Sequence, residues 1–166
     1  MPFTPFHFGP GGVIHAVAPR QVSFIAFVAA NVLMDIEPLY YMLTRQDHLH
    51  RFFHTYIGAT LIAGATVLLF MLARKLASRL WLPDLFDWQS LKLPQVIAGA
   101  AAGSYSHIVL DSVMHADIRP LAPFSQANWL YLLVPIDVLH EFCLWAGVAA
   151  VGLLAARKLL KSYFAK

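Results

Sequence analysis

Four apolar stretches, each about as long as a bilayer is thick, limit what this chain can fold into. They are residues 21–43, 55–73, 94–115 and 129–156. At a rise of about 1.5 Å per residue, roughly 20 such residues cross a hydrocarbon core of about 30 Å as a helix. Composition agrees with this reading. Of 166 residues, 59% are hydrophobic and only 13% charged, with a mean hydropathy of +0.62. So few charges cannot cover a soluble protein of this size, which leaves lipid as the solvent for much of the surface. The expected fold is all-α, an integral membrane bundle of about four transmembrane helices in one domain over residues 1–166. Runs such as AGAAAGS and AGVAAVG supply small residues for close helix contact in lipid.

The remaining composition mostly excludes. A net charge of +3 gives no reason to expect a nucleic-acid partner. The single cysteine, Cys143, allows neither an internal disulfide nor a cysteine-based zinc motif. Residues 1–20 lack a basic stretch followed by an apolar one, so no cleavable signal peptide is expected. Their prolines and the GPGG run predict turns, and a re-entrant or interfacial segment is the expected form.

Charge asymmetry predicts the orientation. Arg74, Lys75, Arg79 and Lys92 lie between the second and third stretches, and Arg157, Lys158, Lys161 and Lys166 follow the fourth. In an up-and-down topology both clusters share one face, which the positive-inside rule makes cytoplasmic. A multi-pass protein of the cell membrane results (the inner membrane in a bacterium), with both termini in the cytoplasm.

Against this apolar background stand ionisable residues. Asp35, Glu37, His54, His107, Asp111, His115, Asp137, His140 and Glu141 all fall in or beside the apolar stretches. Such residues are costly in lipid and are functional candidates by default. Counted from the cytoplasmic charges at the helical rise, Asp35 and His107 lie ~22 Å deep, Asp111 ~28 Å, Glu141 ~24 Å, His140 ~25 Å and His54 ~30 Å. Four segments thus place acids and imidazoles in one slab of the outer half of the bilayer. His107, Asp111 and His115 recur at intervals of four and share a helix face. Imidazole and carboxylate are the ligands of zinc and related divalent ions, and Asp35 and His54 complete a four-ligand site. HLHRFFH sets His50 one turn before His54 and Arg51 beside it, where a guanidinium suits an anion. The competing reading of the stripe is a polar network without metal. His7 begins on the wrong face and reaches the site only if residues 1–19 re-enter the bundle.

The ordered set of an early His7, MDIEP with Asp35, HRFFHT with His54 and YSHIVLD with His107 and Asp111 resembles the membrane-bound metal-dependent hydrolases of the YdjM-like family. That family is described as LexA-binding and inner-membrane-associated. The order is also similar to the zinc-dependent phospholipase C and nuclease P1 group. The chain departs from the family pattern at Met34, where proline is usual, and at Phe53-His54-Thr55, where Thr-His-Ser is usual. The resemblance implies a metal-dependent hydrolase with Asp35, His54, His107 and Asp111 as core ligands. It offers His7, His115, His140 and Glu141 for a further ion, within a cluster of one to three zinc ions.

The expected activity is hydrolysis of a phosphoester in a lipid or lipid-linked headgroup. Glu37 or Glu141 is the expected general base, and Arg51 or Arg119 the expected anion clamp. The same polar slab also suits a metal or ion transporter. A haem protein using paired histidines and a non-catalytic membrane adaptor are further alternatives; carboxylates among the histidines argue against haem.

Overall fold

The computed structural model describes residues 5–77 and 79–164. Among them are five α-helices and no strand. A 3-10 turn, Pro5–His7, leads into α1, Phe8–Val17. Then come α2, Phe24–Leu43, α3, Tyr56–Leu76, a 3-10 segment Leu85–Ser90, α4, Leu93–Met114, and α5, Ile136–Phe164.

Local signals explain the helix starts. The Ser23 hydroxyl accepts from Ala26 N and begins α2; the Thr55 hydroxyl accepts from Gly58 N and begins α3. Pro94 sits in the first turn of α4, where a missing N–H costs nothing, and the Gln95 side chain accepts from Lys92 N.

Helix α4 is the centre of the bundle and packs on both α2 and α3. Ala26 and Ala30 of α2 meet Val96 and Ala100, while Met34 of α2 and Ala59 and Ile62 of α3 meet Ile108. The contact is close because Gly99 and Gly103 lie on the backbone of α2. A Cβ at either would strike the carbonyl of Ser23 or Phe27.

Three helices, α2, α3 and α5, are long and apolar enough to cross a membrane, rather than the four expected. The exception is α4. It is wrapped by α2 and α3, so its inward face carries Ser104, His107, Asp111 and Ser112 instead of lipid-facing side chains. The fourth apolar stretch also starts late, because residues 129–135 are turns and the helix begins at Ile136.

The amino end departs from expectation too. GPGG does not break the chain but lies inside α1. Pro10 falls in the first turn, where the helix has no N–H to lose. The glycines are contact residues: a Cβ on Gly9 would overlap the Cys143 carbonyl of α5, and one on Gly11 would overlap the Phe27 ring of α2. Helix α1 therefore packs chiefly against α5 and carries residues 5–17 into the bundle.

Candidate metal centre

The C-terminal halves of α2 and α4 and the loop before α3 converge at one end of the bundle. Asp35 comes from α2, His54 from the loop, and His107 and Asp111 from α4; all four are buried, and their ligand atoms lie within 4.8 Å of one another. His107 Nε2 is 3.4 Å from Asp35 Oδ1 and 3.2 Å from Asp111 Oδ2, and His54 Nε2 is 3.6 Å from Asp111 Oδ2. Four tetrahedral ligands about 2.1 Å from an ion stand about 3.4 Å apart. The separations match that spacing.

The hydrogen bonding favours an ion over a closed polar network. His54 Nε2, His107 Nε2, both ring nitrogens of His7 and Asp111 Oδ1 are buried and, among the described residues, make no well-directed hydrogen bond, although His7 Nε2 and Asp111 Oδ1 stand 3.0 Å apart. Leaving such atoms unpaired is costly. Each core imidazole is instead held by its other nitrogen. His54 Nδ1 faces Glu37 Oε2 at 3.1 Å and His107 Nδ1 faces Asn31 Oδ1 at 3.0 Å. Metal-bound histidines are oriented in this way, with the second nitrogen on an acceptor and the first left bare for the ion. The group can hold a metal ion.

Two carboxylates shape the loop that delivers His54. Glu37 accepts from Arg51 N and Phe53 N at 3.0 Å each. Asp117 accepts from Leu49 N and His50 N at 3.1 Å and from His50 Nδ1 at 2.9 Å. Beside the first group stands a second set of ligand atoms, His50, Asp111 and His115, also within 4.8 Å of one another. Asp111 belongs to both. Burial lowers the His50 pKa, with His54 adding to the effect and Asp117 opposing it. Burial likewise pushes His115 down to about 4. Both imidazoles are thus neutral near pH 7, the state a ligand needs. Burial would lower His54 as well, but Asp111 and Glu37 beside it outweigh that and raise its pKa to about 9, so without an ion His54 carries a second proton, which a metal on Nε2 would displace. For Asp117 burial acts upward, yet its bonds from His50 prevail and lower the pKa.

The remaining candidates fall in different places. His7 reaches the site: its Nε2 is 3.0 Å from Asp111 Oδ1, and its ring stands edge-on to His107 at 4.5 Å. His115 joins the second group. Glu37 is not a free base, since its oxygens are engaged by His54 and two backbone amides. His140 stacks on Phe6 at 4.6 Å and lies outside both ligand groups, and Glu141 is exposed on α5. Starting α5 at Ile136 sets these two away from the centre. Arg51 lies at the rim, its guanidinium 3.8 Å over the Tyr41 ring and bonded to Gln46 and the His48 carbonyl. A cavity of about 430 Å³ is walled by His50, Arg51, Thr55 and Arg119. A larger groove of about 700 Å³ between α1 and α5 is apolar and touches none of the ligands.

Asn31, His50 and Asp117 are the participants that sequence reasoning did not assign to the site. Each had a signal: Asn31 lies four before Asp35, His50 four before His54, and Asp117 two after His115. No known protein family, curated protein or solved structure matches the chain, so the argument for function starts from this geometry.

Proposed function

We propose that the chain is a membrane-embedded, zinc-dependent hydrolase that cleaves a phosphoester in a lipid or lipid-linked headgroup. One observation carries the metal: bare Nε2 atoms of His54 and His107 face Asp111 at ligand spacing, while Glu37 and Asn31 hold the opposite nitrogens. Two things support hydrolysis. The motif order resembles the YdjM-like hydrolases, and the cavity beside His50 carries Arg51 and Arg119, whose guanidinium groups suit phosphate.

Asp35, His54, His107 and Asp111 would hold the first ion. His50 and His115 would hold a second, with Asp111 shared. Bound zinc supplies positive charge for a phosphoryl oxygen and acidifies water. The protein's own part is to aim the imidazoles through Glu37, Asn31 and Asp117, to exclude water around the core ligands, and to gather arginines at the entrance.

In this reading α4 is the fourth span, shielded from lipid by its neighbours. The basic residues of α3 and α5 stand at the end away from the metal centre, so the positive-inside rule puts the α1–α2 turn and the end of α5 in the cytoplasm, and the centre, with His7 beside it, toward the outer leaflet; the amino-terminal end then lies with the centre rather than on the cytoplasmic face expected for both termini. The test is elemental analysis of the purified protein joined to hydrolysis of phospholipids in mixed micelles. Zinc near one or two equivalents, with chelator-sensitive cleavage, is the expected result. Metal crossing a liposome membrane with no ester cleaved would replace the hydrolase by a transporter.

A further inference from the structure

At the end of the bundle away from the metal centre, a cavity of about 600 Å³ opens between the α1–α2 turn and the last turns of α5. Arg20, Arg157, Lys158 and Lys161 line it, no carboxylate among the described residues does, and its apolar wall includes Val17, Leu154 and Leu160. Arg157 is occupied, because its guanidinium bonds the Ala16 and Val17 carbonyls at the end of α1. Arg20, Lys158 and Lys161 are exposed and, among the described residues, make no ion pair and no side-chain hydrogen bond. Four like charges from two distant parts of the chain thus face one space without a counter-charge among the described residues. A topology signal requires only net charge near a span, not its collection around a walled cavity.

Depth adds the second argument. Helix α5 has 29 residues, about 43 Å at the helical rise, against a hydrocarbon core of about 30 Å. Its last turns therefore stand at headgroup level if it crosses the bilayer. Basic pockets between membrane helices at that level suit anionic headgroups.

We propose that this cavity binds the phosphate of an anionic phospholipid, with Arg20, Lys158 and Lys161 on the headgroup and the acyl chains leaving over Val17, Leu154 and Leu160. The proposal rests on α5 crossing the membrane and is independent of hydrolysis. The experiment measures binding of phosphatidylglycerol, phosphatidylcholine and inorganic phosphate to the full chain in neutral detergent. Phosphatidylglycerol should bind, phosphatidylcholine and millimolar phosphate should not compete with it, and Lys158→Gln with Lys161→Gln should weaken binding by about tenfold or more. Arg20→Gln, which leaves α5 untouched, should weaken it in the same direction. Lys75→Gln with Arg79→Gln removes as much charge elsewhere and should change nothing. Equal loss in that control, equal binding of phosphatidylcholine, or displacement by inorganic phosphate would overturn the proposal. The wild-type chain treated with a chelator should keep full binding while circular dichroism shows it still folded; loss under those conditions would move the lipid to the metal centre and end the idea of a second site.

Discussion

Asn31 sets the tautomer of His107. The Asn31 amide nitrogen donates to the Phe27 carbonyl at 2.9 Å, so its oxygen is the atom facing His107 Nδ1 at 3.0 Å. An oxygen accepts only, so Nδ1 carries the proton and Nε2 presents a lone pair to Asp35 and Asp111. Asn31→Leu removes that acceptor. Metal affinity should fall by about 10- to 100-fold with helix content unchanged, measured by competition with a chromogenic chelator. Unchanged affinity would mean that His107 needs no such partner.

Asp111 is shared by both ligand groups, whereas Glu141 lies on an exposed face of α5. Asp111→Ala should abolish bound metal and any hydrolysis; Glu141→Gln should alter neither. Elemental analysis of the two proteins checks this, and metal retained by Asp111→Ala would rule out the proposed centre.

Acid should destabilise the metal-free protein. His115 has its pKa pushed down to about 4 by burial, and His50 is lowered for the same reason. Their unfolded-state values are near 6.5, so the stability they contribute is complete above that pH and is lost as pH falls toward 4. His54 has the opposite sign: its pKa is raised to about 9, so its contribution is complete below about 6.5 and fades as pH rises through 9. Thermal unfolding after chelation should therefore weaken on both sides of a maximum. His115→Asn should flatten the acid side; an unchanged acid slope would show that the imidazole is not held neutral.

Gly103 is fixed by the Phe27 carbonyl beneath it. Gly103→Val should push α4 off α2 and cost about 2 kcal/mol or more in stability. Gly152 faces open space, so Gly152→Ala should stabilise α5 slightly. Chemical unfolding in micelles compares the pair.

What could be read from sequence follows from periodicity. His107 and Asp111 are legible because a spacing of four survives in any straight helix, and Asp35 and His54 because their depth in other segments falls in the same slab. His140 and Glu141 matched in depth too, but depth says nothing about direction around the helix axis, and His140 turned to Phe6. GPGG read as turns because the neighbours that make its glycines useful in a helix are remote in sequence: the Cys143 carbonyl and Ala150 of α5 for Gly9 and Gly12, and the Phe27 ring of α2 for Gly11. Length alone counts α4 with the other spans, whereas Ser104, His107, Asp111 and Ser112 on its buried face set it apart from the three helices apolar enough to cross.

Helix α1 is held chiefly by α5, so the earliest and the latest of the five helices meet. During synthesis α2, α3 and α4 emerge well before α5 does. His7 precedes them all, yet α1, which follows it directly, has no main neighbour until α5 has emerged. The imidazole that comes first among these candidates is then among the last to be seated, and a chain interrupted before α5 would carry Asp35, His54, His107 and Asp111 without a closed site.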